Sequence, residues 1–148
     1  MVGGSTLRER ALQLLARREH TRAELARKLA RHASPDDHVE ELLDELSERN
    51  LLSEQRYAEA RTRKLSRKFG ASRIVHELRT KGLEKDVAER AVEAARATEV
   101  ARAREVWLKK FRNPPSNREE RAKQMRFLQS RGFSFDAIRA VIRGADED

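Results

Sequence analysis

The chain has 148 residues with 39% charged, 38% hydrophobic and 5% aromatic side chains, and 33 Lys and Arg against 25 Asp and Glu give a net charge of +8. That length suits one ordinary domain or several small units with shared cores, and not two large independent domains. The absence of cysteine removes disulfides, thiolate catalysis and cysteine zinc sites, and the short apolar runs exclude a membrane span and a signal peptide at "MVGGSTLRER", so a soluble cytoplasmic protein is expected.

Three prolines and six glycines leave the apolar periodicity uninterrupted, and an all-α fold follows. The first third predicts helices over 6–18, 22–31 and 35–49. Capping boxes at Thr6 to Glu9 and Thr21 to Glu24 mark the first two starts. Ser34, Pro35, Asp36 and Asp37 mark the third, with proline where its missing N–H costs nothing. Without aromatics, this unit must build its core from Leu7, Leu12, Leu15, Leu25, Leu29, Leu42, Leu43 and Leu46. Its third helix is acidic: residues 36–48 hold seven Asp and Glu and no Lys or Arg. Asp37, Glu40, Glu41, Asp44 and Glu48 form a candidate docking face for a basic partner, against the plainer reading of a solvated helix face.

The middle third predicts helices over 54–68, with Ser53 as cap, 72–81 and 84–96. Gly82 ends the second of these, in a position that requires positive φ, with Leu83 folding back as in a Schellman cap. Arg73, Glu77 and Lys81 form an i, i+4, i+8 ladder, and Lys81 is read chiefly as a cation at the helix end. The last third predicts helices over 99–111, 117–131, started by Ser116 to Glu119, and 135–144, with Ser134 as cap. Only Thr98 separates 84–96 from 99–111, so one long helix there is an alternative. All seven aromatics, Tyr57, Phe69, Trp107, Phe111, Phe127, Phe133 and Phe135, follow residue 56 and are expected in the cores.

"AELARKL", "HELRTKG" and "RFLQSRG" superpose Leu25, Leu78 and Leu128, and also Lys28, Lys81 and Arg131, at a period near fifty. The chain therefore reads as three tandem three-helix repeats over 6–50, 51–97 and 98–144, helix-turn-helix-like units stacked into an elongated, curved, solenoid-like array.

No glycine loop for phosphate is present, the four histidines lack ligand spacing, and no acid–base pair lies in an apolar setting, so no catalytic residue, metal or cofactor is assigned and no enzyme is expected. His32 and His38, which flank Asp36 and Asp37, read as surface residues rather than ligands. The positive charge is uneven. Residues 1–50 carry nine Lys and Arg and ten acids, residues 51–97 twelve and seven, and residues 98–148 twelve and eight. Two basic stretches, 61–82 and 102–131, exceed what local helix pairing can use and point to a polyanionic partner. Arg61, Lys64, Lys68, Arg73, Lys109, Lys110, Arg121 and Arg126 are the candidate binding residues. The acidic or mixed third helices of the first two repeats argue against insertion into a major groove, so contact with a nucleic-acid backbone is expected over base reading.

"ALQLLARREHTRAELARKL", "LLSEQRYAEARTRK", "RIVHELRTKG" and "KQMRFLQSRGFSFDAIRAVI", in that order, resemble the bacterial regulatory protein RecX family over roughly residues 6 to 143. The resemblance implies three-helix repeats and a regulator, typically an inhibitor, of the RecA recombinase. It implies binding in the groove of the RecA–DNA filament and restraint of ATP hydrolysis and strand exchange, with roles in homologous recombination, DNA repair and the SOS response. It also implies that single- or double-stranded DNA is bound nonspecifically, and a monomer is expected. It assigns no contact residues. The turn "KFGAS", with Gly70 alone, is poorer in glycine than is usual in the family and is expected to affect the angle between repeats one and two. Two alternatives follow from the residues: a nonspecific DNA-binding protein of chromatin or transcription, and an adaptor that uses the acidic face of residues 36–48.

Overall fold

The computed structural model describes residues 6–147. Among them are nine helices and no strand: α1 (Leu7–Arg17), α2 (Arg22–Ala30), α3 (Val39–Glu48), α4 (Glu54–Leu65), α5 (Ala71–Thr80), α6 (Lys85–Ala97), α7 (Glu99–Lys110), α8 (Arg118–Ser130) and α9 (Phe135–Glu147). No helix among the described residues is long and apolar enough to cross a membrane.

Side-chain caps set most of the starts. Thr6, Thr21 and Ser53 accept the backbone N–H three residues on, and Ser134 Oγ accepts that of Ala137 at 3.1 Å; each satisfies a donor that the first turn leaves free. Two starts differ from expectation. Residues 34–37 are not helical: Asp37 N–H donates to Ser34 O at 3.0 Å, and Asp37 Oδ2 accepts from Ser34 N–H at 2.7 Å. Ser34 and Pro35 thus occupy the first two positions of a β-turn, which suits proline there, and α3 begins at Val39 rather than at residue 35. At α8 the cap moves by one residue. Asn117 Oδ1 accepts from Glu120 N–H at 2.8 Å, and Glu120 Oε2 accepts from Ser116 N–H at 2.8 Å. The box is therefore Asn117 with Glu120 instead of Ser116 with Glu119.

The ends follow the glycines. Gly82 and Gly132 have φ of 90° and 87°. Leu83 N–H reaches Leu78 O, and Phe133 N–H reaches Leu128 O, both at 3.3 Å, while Gly82 and Gly132 donate to Arg79 and Gln129, both at 2.9 Å. These are two Schellman motifs, each folding an apolar residue back onto its helix. Thr98 breaks the chain between α6 and α7 with φ −108° and ψ 12°, which rules out one long helix.

Each set of three helices closes its own core. Ala11, Leu25, Leu29, Leu43, Leu46 and Leu52 are buried in the first; Ala58, Ile74, Leu78, Leu83, Ala88 and Val92 in the second; and Trp107, Leu128, Phe133, Ile138, Val141 and Ile142 in the third. The superposed Leu25, Leu78 and Leu128 are all fully buried. Phe135 is the exception among the aromatics: it is 59% exposed, at the first turn of α9, with the Arg139 guanidinium 4.7 Å from its ring centre. Of the other leucines expected in the first core, Leu7, Leu12, Leu15 and Leu42 pack around it partly buried.

The two junctions between repeats are built differently. Polar pairs join the first to the second: Arg56 Nε donates to Glu19 Oε2 at 2.7 Å, and Arg22 N–H donates to Glu54 Oε2 at 3.2 Å. Backbone contact joins the second to the third. Gly70 N–H donates to Arg131 O at 2.8 Å, and a methyl group at Gly70 would lie 2.3 Å from Gly132 O. The "KFGAS" turn therefore abuts repeat three. Beside it, the buried Glu99 accepts Ala71 N–H at 2.7 Å and Ser134 N–H at 3.1 Å, which caps α5 and α9 with one carboxylate. Arg102 donates to Ser66 O and Phe69 O at 2.8 and 2.7 Å and to Ala95 O at 2.6 Å, so it collects carbonyls at the ends of α4 and α6.

Candidate polyanion-binding surface

The basic stretch of α4 carries a periodic face. Tyr57, Arg61, Lys64 and Lys68 follow one another at steps of four, three and four, so they stack along one side of the helix and the turn that extends it. At one end, Tyr57, Ala60, Arg61 and Lys64 line a groove against Arg18, Glu19 and Glu24 of the first repeat, with Lys81 at its edge. At the other end, Arg67 and Lys68 meet α7 and α8 across a second cleft of about 280 Å³, whose other walls are Val106, Lys109, Lys110, Phe127 and Arg131. A cationic path thus runs along α4 from the first repeat to the third.

The two ends differ in electrostatics. In the first groove the charges are largely paired. Glu24 takes Arg18 in a two-pronged contact at 3.0 and 2.6 Å, and this guanidinium holds its carboxyl down to about 2 against a desolvation that pushes the other way. Arg61 donates to Glu77 at 2.8 Å, while its buried Nε has no acceptor. The second cleft is lined by five cations and no carboxylate. Aromatic faces hold two of these cations: the Arg131 guanidinium lies 5.1 Å from the centre of Phe127 and 5.6 Å from that of Phe69. Lys110 Nζ sits 5.5 Å from Phe127, whose ring also meets Phe111 edge to face at 5.4 Å. Each cation–π contact at an exposed site contributes about 0.5–1 kcal/mol.

The structure divides the candidate binding residues. Lys68, Lys109 and Lys110 come together in the second cleft, and Lys64 lies in the first groove. Arg61 is tied to Glu77. Arg73 donates to Ser130 O at 2.9 Å and lies 4.5 Å over Phe69, so it braces the cleft from behind. Its expected ladder with Glu77 and Lys81 does not form, because Glu77 has turned to Arg61. Arg121 and Arg126 are exposed on α8 and line neither cleft. Arg67 and Arg131 are members of the cleft that the sequence did not single out; Arg131 read as a helix-end cation, which it also is.

On the acidic side, Asp37 is held in the turn before α3, and Glu40 and Asp44 share Arg22 at 2.8 Å each. Glu41 and Glu48 are exposed and make no ion pair among the described residues. His32 and His38 are exposed as well, and no three of the described His, Asp or Glu residues are grouped to hold a metal ion. His20, by contrast, is 1% exposed: its Nδ1 faces Arg18 O at 3.0 Å and its Nε2 faces Lys28 Nζ at 2.9 Å.

Three family models match in order: the first three-helix domain of RecX at residues 8–46, the second at 53–92 and the third at 97–142. The chain is 48% identical over 143 residues to a regulatory protein RecX of Leptothrix cholodnii, covering 97% of this chain and 91% of that one. It is 47% identical to a regulatory protein RecX of Herminiimonas arsenicoxydans, over 97% and 95% of the two chains. The crystal structure of RecX from Lactobacillus salivarius superposes with a TM-score of 0.77 at 25% identity, over 96% of each chain. With three successive domain models matched and relatives so similar over nearly their whole length, the chain belongs to the RecX family of regulatory proteins.

Proposed function

We propose that the chain inhibits the RecA recombinase by lying in the groove of the RecA–DNA filament, with its cationic path along α4 and the cleft between repeats two and three turned toward acidic subunit surfaces and DNA phosphate. The observation that carries this reading is the concentration of Arg67, Lys68, Lys109, Lys110 and Arg131 in one carboxylate-free cleft of a RecX-family chain. A polyanion is the partner such a field selects. A bound chain that bridges adjacent subunits opposes the movement that accompanies ATP hydrolysis, and it occupies space that incoming duplex needs for strand exchange. Lys64 and the more distant Arg121 and Arg126 extend the contact; Arg61 and Arg73 hold the surface in shape.

The test is RecA ATP hydrolysis on single-stranded DNA with increasing amounts of the protein. Hydrolysis is expected to fall as the protein is added. Charge reversal at Lys64, Lys68, Lys109 and Lys110 is expected to weaken the inhibition while leaving helicity unchanged. No change in hydrolysis at saturating protein would overturn the reading. Inhibition that vanishes only when bare DNA is saturated by a competitor would favour a nonspecific DNA-binding protein instead.

A further inference from the structure

Two polar ties join repeat one to repeat two, and both leave repeat one from a single short turn, residues 18–22 between α1 and α2. Glu19 Oε2 accepts from Arg56 Nε at 2.7 Å, and the N–H of Arg22, the first residue of α2, donates to Glu54 Oε2 at 3.2 Å. Arg56 also donates to Asn50 O at 2.6 Å. Its guanidinium thus clamps the turn to the linker between α3 and α4, where Asn50 stands at a φ of 60°. Partly exposed ion pairs hold such a joint weakly, whereas at the other junction Gly70 packs backbone on backbone against Gly132.

Between the two ties sits His20, 1% exposed. Its ring fastens the turn: Nδ1–H donates to Arg18 O at 3.0 Å, and Nε2 accepts from Lys28 Nζ at 2.9 Å. Only the neutral ring makes both contacts. A proton on Nε2 sets an N–H against the Lys28 ammonium, and burial denies the new charge its water. The charged groups that face the ring are Arg18 on its own turn and Lys28 and Glu24 on α2. Glu24 is already held by Arg18 at 3.0 and 2.6 Å. On the α4 side of the turn, Arg56 and Glu54 are engaged by Glu19 and Arg22.

We propose that His20 is a proton-sensitive latch on the hinge between repeats one and two. Neutral, it holds residues 18–22 in the shape that reaches Arg56 and Glu54; protonated, it frees repeat one to swing about residues 49–53. Opening parts the walls of the first groove, with Arg18, Glu19 and Glu24 on one side and Tyr57, Arg61 and Lys64 on the other. Repeats two and three keep their mutual pose, so pH sets the curvature of the chain at one joint only. Burial and the neighbouring cations lower the pKa of the closed-state ring from 6.5, and opening returns it toward that value, so protons favour the open hinge. The open fraction therefore rises as pH falls below about 6.5, by at most about tenfold per pH unit. The latch needs no partner, so it stands or falls apart from inhibition of RecA.

The chain contains no cysteine, so spin labels can be placed on cysteines introduced at exposed positions of the full chain. Arg27 and Glu93 span the hinge, and Glu93 and Gln129 span the other junction. Distances within each pair are measured by pulsed electron resonance at pH 7.5 and 5.5. The hinge pair is expected to show one narrow distance at the higher pH and a broad set at the lower, while the other pair stays unchanged. His20→Gln, whose amide can donate to Arg18 O and accept from Lys28 without titrating, is expected to keep the narrow distance at both values. Arg56→Gln, which cuts the tie directly, is expected to give the broad set at both. Nuclear magnetic resonance of the His20 ring in unlabelled protein supplies an independent readout: Arg56→Gln is expected to move its titration midpoint upward, toward 6.5. Circular dichroism checks that helicity is retained. A hinge pair unchanged at pH 5.5, the same broadening in His20→Gln, broadening of both pairs together, or an unmoved His20 midpoint in Arg56→Gln would each overturn the proposal.

Discussion

Gly70 and Gly132 touch backbone to backbone: a Cβ on Gly70 would sit 2.3 Å from Gly132 O, and one on Gly132 would sit 2.3 Å from Arg73 Cβ. The glycine that ends α8 is therefore also the surface against which the start of α5 rests. Gly82, its counterpart in repeat two, has the same positive φ but nothing within 4 Å of an added Cβ. Gly82→Ala should cost only the left-handed backbone strain, about 1–2 kcal/mol. Gly132→Ala adds a clash with a packed neighbour and should cost a further 1–3 kcal/mol or so. Urea unfolding of the two variants measures the difference, and equal costs would mean that the junction gives way without resistance.

Glu99 supports the same junction by charge. One buried carboxylate accepts the first N–H of α5 and the N–H of Ser134 just before α9, so it sits at the positive ends of two helix dipoles. Arg102, 4.0 Å away, supplies the countercharge, and burial lowers its pKa below the usual arginine value. Glu99→Gln keeps the shape but has only one acceptor oxygen and no charge. It should cost about 1–3 kcal/mol, the penalty for leaving a buried N–H unsatisfied. The loss should appear as a lower unfolding midpoint with helicity retained at low temperature.

These two junction elements mark the limit of what is legible in the sequence. Helix starts at Thr6, Thr21 and Ser53, the ends at Gly82 and Gly132, and the leucine cores were legible because each rests on residues within a few positions of one another. Local chemistry also explains the shifted starts: Ser34 and Pro35 suit a turn as well as a helix, and Asn117 is as good a cap as Ser116. Glu99, however, looks in sequence like an ordinary first-turn acid of α7. Its partners lie 28 and 35 residues away, and no periodicity points to them. The cleft was half legible. Lys68, Lys109 and Lys110 stood out by charge density, whereas Arg131 gained its place only when Phe69 and Phe127 came together beneath it.

His20 makes stability depend on pH. Its imidazole is buried, and with Lys28 donating to Nε2 the ring is neutral and its Nδ1–H donates to Arg18 O. Burial, the largest influence, and the nearby Arg18 and Lys28 charges lower its pKa below 6.5, with the Arg18 carbonyl and Glu24 opposing them. The unfolded chain therefore takes up this proton first. The stabilisation is complete above pH 6.5 and is lost as pH falls through the lower folded value, at no more than about 1.4 kcal/mol per pH unit. Glu24 adds its own loss at lower pH, between its ordinary value and about 2. Urea midpoints should decline from pH 7.5 to pH 5, and His20→Gln should flatten that decline. An equal slope in the variant would assign the effect elsewhere.

The acidic face of α3 is less charged than its composition implies. Glu40 and Asp44 are matched by Arg22, and Glu45 by Arg8 and Arg49, which leaves Glu41 and Glu48 as the acids of α3 open to a partner. The matched pairs are largely solvent-exposed, so replacing Glu40 and Asp44 by Gln and Asn should cost no more than about 1 kcal/mol. If the protein were an adaptor for a basic partner, Glu41→Lys with Glu48→Lys would abolish its activity. If the cationic path and cleft carry the function, the same double reversal should leave inhibition of RecA ATP hydrolysis within about twofold, because neither residue pairs with that surface. Hydrolysis assays on this variant beside the charge reversal at Lys64, Lys68, Lys109 and Lys110 separate the two faces. Strong loss in the first and none in the second would move the proposed regulatory surface to repeat one.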